Sequence, residues 1–90
     1  MKHISANIYG HVQGVGFRYT TMSYAKQLNL TGYVQNMDDG SVHIEAQGGD
    51  DKLSQLIDAI KNGLDQFADV TKVNVKEKAL TDYSDFNVKL

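Results

Sequence analysis

The sequence predicts an α+β fold, a split βαβ sandwich in which two helices cover one face of an antiparallel sheet of four or five strands. The first observation behind this prediction is the order of the periodic segments, which runs strand, helix, strand, strand, helix, strand. The second is the length, because 90 residues are enough for a single domain, residues 1–90, with one core. Right-handed crossovers would make the first two strands parallel, with the third strand between them.

The first half of the chain predicts a strand, a helix and a second strand. Residues 3–11 alternate between apolar and polar side chains, which is typical of a half-buried strand. Apolar residues at helical spacing then predict a helix that begins at Arg18 or Tyr19 and ends at Leu28. Residues 33–37 form the second predicted strand. The apolar stripe of the helix is predicted to consist of Tyr19, Met22, Ala25 and Leu28.

A hairpin is predicted to join the second strand to the third. Asp39 and Gly40 both tolerate a positive φ angle, so the pair predicts a two-residue turn. The third strand is expected to have one buried face and one exposed face. The buried face is predicted to be Val42, Ile44 and Ala46, and the exposed face His43, Glu45 and Gln47.

A second helix and two further strands complete the prediction. Apolar residues at positions i, i+3, i+4 and i+7 predict a helix that ends near Asn62, with Gly63 as its left-handed cap. Residues 70–75 predict a fourth strand, and the alternation at residues 86–90 predicts a short fifth strand.

The composition argues against several classes of protein. A formal charge of −2 is unfavourable for binding nucleic acid through a basic surface. The absence of cysteine excludes a disulfide framework, a thiolate zinc site and a cysteine nucleophile. No apolar run approaches the roughly 20 residues that cross a bilayer, and nothing before the first strand resembles a signal peptide. We therefore expect a cytoplasmic protein without a membrane partner.

The remaining polar residues predict no metal and no cofactor. The histidines alternate with apolar residues, so we expect them to be exposed or lightly packed. The acidic pairs stand where turns and helix caps are predicted, which favours local structural roles over a metal cluster. The histidines and acidic residues concerned are His3, His11, His43, Asp38, Asp39, Asp50 and Asp51. The protein is also expected to be a monomer.

Residues 10–18 form the segment most typical of a binding site. They contain three glycines, including Gly14 and Gly16, and lead directly into a predicted helix. Backbone amides of such a loop can converge on an anion, and a helix N-terminus adds partial positive charge. Arg18 is the only arginine beside eight lysines, and its guanidinium can make planar two-point contact with an oxyanion. A tight strand–helix connection without a ligand is the alternative interpretation.

Two motifs resemble those of the acylphosphatase family. The first is GHVQGVGFR at residues 10–18, and the second is GYVQN at residues 32–36, followed by DGSV at residues 39–42. The resemblance runs over nearly the whole chain and implies a ferredoxin-like α/β sandwich. Met37 departs from the family pattern, in which a hydroxyl residue often follows the asparagine. The link at residues 63–69 also lacks the proline and serines that are frequent there.

The resemblance also implies a reaction and its site residues. It implies hydrolysis of an acyl phosphate to a carboxylate and inorganic phosphate, and the phosphate is expected to inhibit as a product. A carboxylate leaves readily, so no general acid is required. Asn36 is implied to hold the attacking water, which an amide can orient without titrating. The phosphate is implied to bind Arg18 and the backbone amides of Gln13, Gly14, Val15, Gly16, Phe17 and Arg18.

Three other functions stay open at this point. The split βαβ fold also serves non-catalytic modules that bind anions or regulate other proteins. An RNA-binding sheet is a second alternative, although the predicted open face carries few aromatic residues and the net charge is negative. The third is a carbamoyl-phosphate-processing domain similar to a module of a larger maturation protein.

Overall fold

The computed structural model describes residues 1–64 and 68–90, and its strands and helices follow the predicted order. A fifth strand is present, as the sequence predicts. The predicted link at residues 63–69 falls partly outside the described residues. The elements are β1 Lys2–His11, α1 Phe17–Gln27, β2 Thr31–Asn36, β3 Val42–Gly48, α2 Asp50–Lys61, β4 Asp69–Lys78 and β5 Phe86–Lys89.

The five strands form one mixed sheet in the order β4-β1-β3-β2-β5. β3 is antiparallel to both β1 and β2, so the predicted parallel placement of β1 and β2 is confirmed. The prediction of a purely antiparallel sheet is wrong, because β5 pairs with β2 in parallel. β4 ends beside the start of β1, with Lys78 opposite His3, and β5 begins beside the start of β2, with Phe86 opposite Gly32. The starts of β1 and β2 lie at the same edge of the sheet, so the connection from β4 to β5 runs along that edge. β5 then runs away from this edge in the same direction as β2, which makes the two strands parallel.

The register of β3 brings the ends of β1 and β2 to one edge of the sheet. Ile8 of β1 and Asn36 of β2 both lie opposite Val42 of β3, so the two residues are level. β1 continues from Tyr9 to His11 beside β4 only, beyond its pairing with β3. The loop that follows β1 therefore starts just beyond the level of Asn36, as the predicted topology requires.

The core lies between the sheet and the two helices. α2 buries Leu53, Leu56 and Ile60 at the predicted spacing, and Gly63 has a left-handed φ of +88° just after the helix. Within the part of the chain that the structure describes, neither helix is long and apolar enough to cross a membrane. The buried apolar residues of the sheet are Ile4, Ala6, Ile8, Val34, Val42, Ile44, Ala46 and Phe86.

The predicted apolar stripe of α1 is partly wrong. Tyr19 is 57% exposed, and the buried residues of the helix are Phe17, Thr21 and Ala25. The helix begins at Phe17, one residue before the predicted start, so its inward positions follow Phe17 at steps of four residues. Phe17 is 1% exposed and anchors the first turn of α1 in the core.

The β2–β3 hairpin forms where Asp39 and Gly40 predict it, but its turn is longer. The amide of Met37 donates to the carbonyl of Ser41 at 2.8 Å, which leaves residues 38–40 as the turn. A third residue is accommodated because Gly40 adopts a φ of +90° at the end of the turn, as in three-residue hairpin loops.

The outer face of the sheet is more buried than predicted. The sequence predicts Glu45 and Gln47 to be exposed and His3 to be exposed or lightly packed, but the three residues are only 2%, 8% and 3% exposed. Residues 79–85, the crossover segment between β4 and β5, contact this face through hydrogen bonds and a ring contact. His3 Nδ1 lies 2.8 Å from the Ala79 carbonyl, and Gln47 exchanges two hydrogen bonds with the backbone of Thr81.

Candidate active site

The glycine-rich loop, residues 12–16, connects β1 to α1. Gly14 and Gly16 both have a φ of +77°, in the left-handed region where other residues are strained. A Cβ at either position would meet no atom of the described residues within 4 Å. The backbone angle, rather than a lack of space, therefore favours glycine at both positions, and Gly16 leads directly into α1.

The backbone amides next to these glycines have no hydrogen-bond partner among the described residues. Within residues 1–64 and 68–90, no atom accepts a hydrogen bond from the amides of residues 13–18. Some of these amides belong to the first turn of α1, where helical geometry leaves N–H groups unpaired and concentrates partial positive charge. No acidic side chain stands in that first turn. The loop and the helix terminus thus offer a run of N–H donors to an anion.

Arg18 lies on the first turn of α1 and is half-buried. Its Nη1 donates one long hydrogen bond of 3.4 Å to the Lys89 carbonyl at the end of β5. Lys89 pairs with Gln35, the residue before Asn36, so the guanidinium lies near the end of β2. The sequence motifs are separated by many residues, but the fold brings Arg18 and Asn36 to the same edge of the sheet.

Asn36 is the last residue of β2, and its side-chain oxygen is buried. Among the described residues, no donor forms a hydrogen bond with Asn36 Oδ1. Val34, two residues earlier on the same face, is fully buried in the core. A buried polar atom without a partner is unfavourable unless water or a ligand satisfies it. The position of this oxygen is therefore suited to hold a water molecule at the edge of the sheet.

Gln13 makes contacts that the sequence did not reveal. Its Nε2 donates to the carbonyl oxygens of Met37 and Ser41, both at 2.8 Å. The sequence suggested a role only for the backbone amide of this residue. No local pattern predicts the side-chain contacts, because they depend on the tertiary approach of the loop to the β2–β3 hairpin.

The turn after Asn36 is held by a carboxylate. Asp39 accepts hydrogen bonds from the hydroxyl and from the backbone amide of Ser41, at 2.5 and 2.9 Å. The hydroxyl bond first, and the amide bond second, lower the pKa of Asp39 below its usual value. The ionised carboxylate therefore stabilises the hairpin at the edge where Asn36 lies.

Comparison with known proteins identifies the family of the chain. The acylphosphatase family model matches residues 4–88. The chain belongs to the acylphosphatase family. It is 48% identical over 88 residues to an acylphosphatase from Ligilactobacillus salivarius, and the match covers 98% of both chains.

Solved acylphosphatase structures have the same fold. The crystal structure of acylphosphatase from Bacillus subtilis matches with a TM-score of 0.95 and 37% identity, covering 100% of both chains. A crystal structure of full-length HypF in the phosphate- and nucleotide-bound form matches with a TM-score of 0.91 and 31% identity. That match covers 98% of this chain but only 12% of HypF, so an acylphosphatase-like fold also occurs as a small part of a much longer protein.

Family membership confirms the predicted activity and fold. The protein is an acylphosphatase enzyme, which hydrolyses acyl phosphates, and its fold is the ferredoxin-like α+β sandwich. Its substrate is accordingly a small molecule. These findings favour the enzyme over the anion-binding module and over the RNA-binding sheet that the fold alone left open.

Proposed function

We propose that acyl phosphates are hydrolysed between the glycine-rich loop and Asn36, with the phosphoryl group bound by Arg18 and the amides of residues 13–18. The observation that carries this proposal is the buried Asn36 Oδ1, which no described residue satisfies. It lies at the sheet edge where the loop amides also have no partner in the described part of the chain. An acceptor next to several donors matches the needs of a water molecule beside a phosphoryl group.

The loop amides and Arg18 stabilise the charge of the phosphoryl group. In phosphoryl transfer this charge is spread over three equatorial oxygens, and catalysis depends mainly on positioning and electrostatics. The loop backbone has positive φ angles at Gly14 and Gly16, a conformation that glycine adopts without strain. Donors that are already in place need no reorganisation during the reaction, and Arg18 adds a charged, bidentate contact.

Asn36 orients the attacking water. Its Oδ1 accepts a hydrogen bond from the water, whose oxygen attacks phosphorus on the side opposite the acyl oxygen. The new P–O bond forms while the P–O bond to the acyl group breaks, and the bonding electron pair leaves with the carboxylate. The water proton passes to a phosphoryl oxygen. No general acid is needed, because the parent carboxylic acid has a pKa of about 4.

We also propose a mode of inhibition, an oligomeric state and a location for the protein. Inorganic phosphate, which carries the same oxyanion as the substrate, is proposed to be a competitive inhibitor. Residues 1–90 are proposed to act as one domain and as a monomer. The exposed edge strand β4 supports the monomer, because its lysines oppose pairing with a second sheet. A cytoplasmic location is proposed from the sequence alone.

The experiment that tests the proposed function measures phosphate release from acetyl phosphate by the purified protein in the presence of a chelator. We expect full activity, because backbone amides and Arg18 supply the charge compensation. The described residues contain no group of three or more His, Cys, Asp or Glu side chains able to hold a metal. The same assay with added Mg²⁺ is the control. Loss of activity in chelator that a divalent ion restores would contradict the mechanism, and phosphate binding without any turnover would favour an anion-binding module.

A further inference from the structure

The side chain of Gln13 connects the glycine-rich loop to the hairpin that carries Asn36. A glutamine amide has two N–H donors, and Gln13 Nε2 contacts two carbonyl oxygens, those of Met37 and Ser41, at 2.8 Å each. Met37 follows Asn36 directly, and Ser41 precedes Val42, the residue that pairs with Asn36. The two contacts therefore hold both strands of the hairpin at the base of the turn, one residue beyond the pair of Asn36 and Val42.

Other hydrogen bonds between the loop and the hairpin are absent from the described part of the chain. β1 pairs with β3 only as far as Ile8, opposite Val42, and beyond that level β1 pairs with β4 alone. Between residues 12–18 and residues 37–41, the described residues form no hydrogen bond except those of Gln13. The distance between the loop and the hairpin at this edge thus depends on the side chain of Gln13 together with packing.

We propose that Gln13 is a positioning residue, whose side chain sets the separation between the phosphoryl group on the loop and the water on Asn36. This inference rests on the proposed roles of the loop and of Asn36. The backbone amide of Gln13 is one of the loop amides proposed to bind the phosphoryl group. Its side chain holds the end of β2, where Asn36 is proposed to bind the water. In-line attack requires the reacting atoms about 3–3.5 Å apart, and a displacement of about 1 Å can lower the rate 10²-fold.

The test replaces Gln13 by methionine, which keeps the length of the side chain but has no N–H donor. We expect kcat for acetyl phosphate to fall by about 10- to 10²-fold. The inhibition constant for inorganic phosphate should stay near that of the wild type, because every backbone amide of the loop is retained. Gln13→Glu should lower kcat further, because a carboxylate would face two carbonyl oxygens. If the methionine variant does not fold, Gln13→Asn takes its place, because its amide is one methylene shorter and cannot make both contacts at 2.8 Å.

A matched control separates positioning from stability. Gln47 also exchanges two hydrogen bonds with the backbone, those with Thr81, but it lies at the opposite end of the sheet. Gln47→Met should lower the urea midpoint of unfolding and leave kcat unchanged. Equal losses of kcat in the Gln13 and Gln47 variants would show that Gln13 acts only through stability, and would overturn the proposal.

A double-mutant cycle with Asn36→Ala completes the test. Because Gln13 acts through Asn36, Gln13→Met should cause no further loss of kcat in the Asn36→Ala background. Losses of kcat that multiply in the double variant would show independent action and would overturn the proposal. A Gln13→Met variant with the kcat of the wild type would also overturn it, if Asn36→Ala is inactive. Wild-type turnover by Asn36→Ala itself would instead overturn the role of Asn36, and the Gln13 proposal with it.

Discussion

Arg18 is the only arginine of the chain, and little in the fold depends on its charge. Among the residues that the structure describes, its guanidinium makes one hydrogen bond, of 3.4 Å to the Lys89 carbonyl, and its Cζ lies 5.9 Å from the centre of the Tyr19 ring. A guanidinium has five N–H donors, so most of them are left for a ligand. Arg18 therefore lies at the first turn of α1, beside amides that no described residue accepts from, where it is suited to bind an oxyanion.

Arg18→Lys is expected to fold normally and to lose at least about 10²-fold in kcat/KM for acetyl phosphate. An ammonium group keeps the charge but cannot present two parallel N–H donors to one oxyanion. Arg18→Ala should lose phosphate inhibition as well. Lys26→Ala is the control, since Lys26 lies on the same helix and its side chain forms an exposed ion pair of 3.8 Å with Asp85. Near-normal activity of Arg18→Lys would refute the bidentate contact.

Individual residues of the site differ in how visible they are in the sequence. Arg18, Gly14 and Gly16 stand out because their residue types have special chemistry or backbone freedom. The side-chain role of Gln13 is not visible, because its acceptors are main-chain carbonyls of a distant hairpin, and any residue type provides those. The lowered pKa of Asp39 likewise depends on the conformation of its turn.

The glycine-rich loop provides a prediction at the scale of an element. Gly14→Val and Gly16→Val place a β-branched residue at a φ of +77°, which costs about 1–3 kcal/mol or forces the loop into another conformation. A changed loop can no longer direct its amides to one anion, so phosphate inhibition should weaken more than the stability falls. Gly63→Val is the control, because Gly63 also has a left-handed φ, of +88° just after α2, but is not one of residues 13–18, whose amides are proposed to bind phosphate. Unchanged phosphate affinity in both loop variants would mean that the loop is only a connection.

The elements were predictable in type and order but not in their ends. α1 begins at Phe17 because Gly16 supplies the left-handed cap, whereas the sequence pattern placed Phe17 in the loop. The β2–β3 turn contains three residues, because Met37 pairs with Ser41. Both errors concern backbone conformation at a glycine, where the side-chain periodicity that defines helices and strands gives no information.

At the scale of the whole molecule, the strand order follows from general rules of handedness, but the covering of the outer face does not. The crossover segment has no apolar periodicity, so no pattern in the sequence indicates that it packs on the sheet. It does so through polar contacts with His3 and Gln47 and through the ring of Tyr83, 5.5 Å from the His3 ring. Glu45 lies beneath it, 2.7 Å from His3 Nε2 and 3.4 Å from Lys78 Nζ.

Glu45→Ala is expected to destabilise the whole protein by about 1–3 kcal/mol, because it leaves the buried His3 and the half-buried His43 without their common hydrogen-bond partner. Urea denaturation at neutral pH measures the free energy of unfolding. Glu77→Ala is the control, since Glu77 is exposed and pairs with Lys2 at 3.9 Å, so its loss should stay within about 0.5 kcal/mol. The kcat of folded Glu45→Ala should equal that of the wild type. A loss of stability below about 1 kcal/mol would show that the buried cluster contributes little.

The most direct test of the site compares kcat and the phosphate inhibition constant of wild type and Asn36→Ala. The substitution removes the buried acceptor for water but leaves the loop amides and Arg18 in place. We therefore expect kcat to fall by at least about 10²-fold while the inhibition constant stays near its wild-type value, as for an interaction made in the transition state. Asn74→Ala, on the exposed face of β4, is the control and should change neither constant. Unchanged kcat in Asn36→Ala would contradict the proposed mechanism.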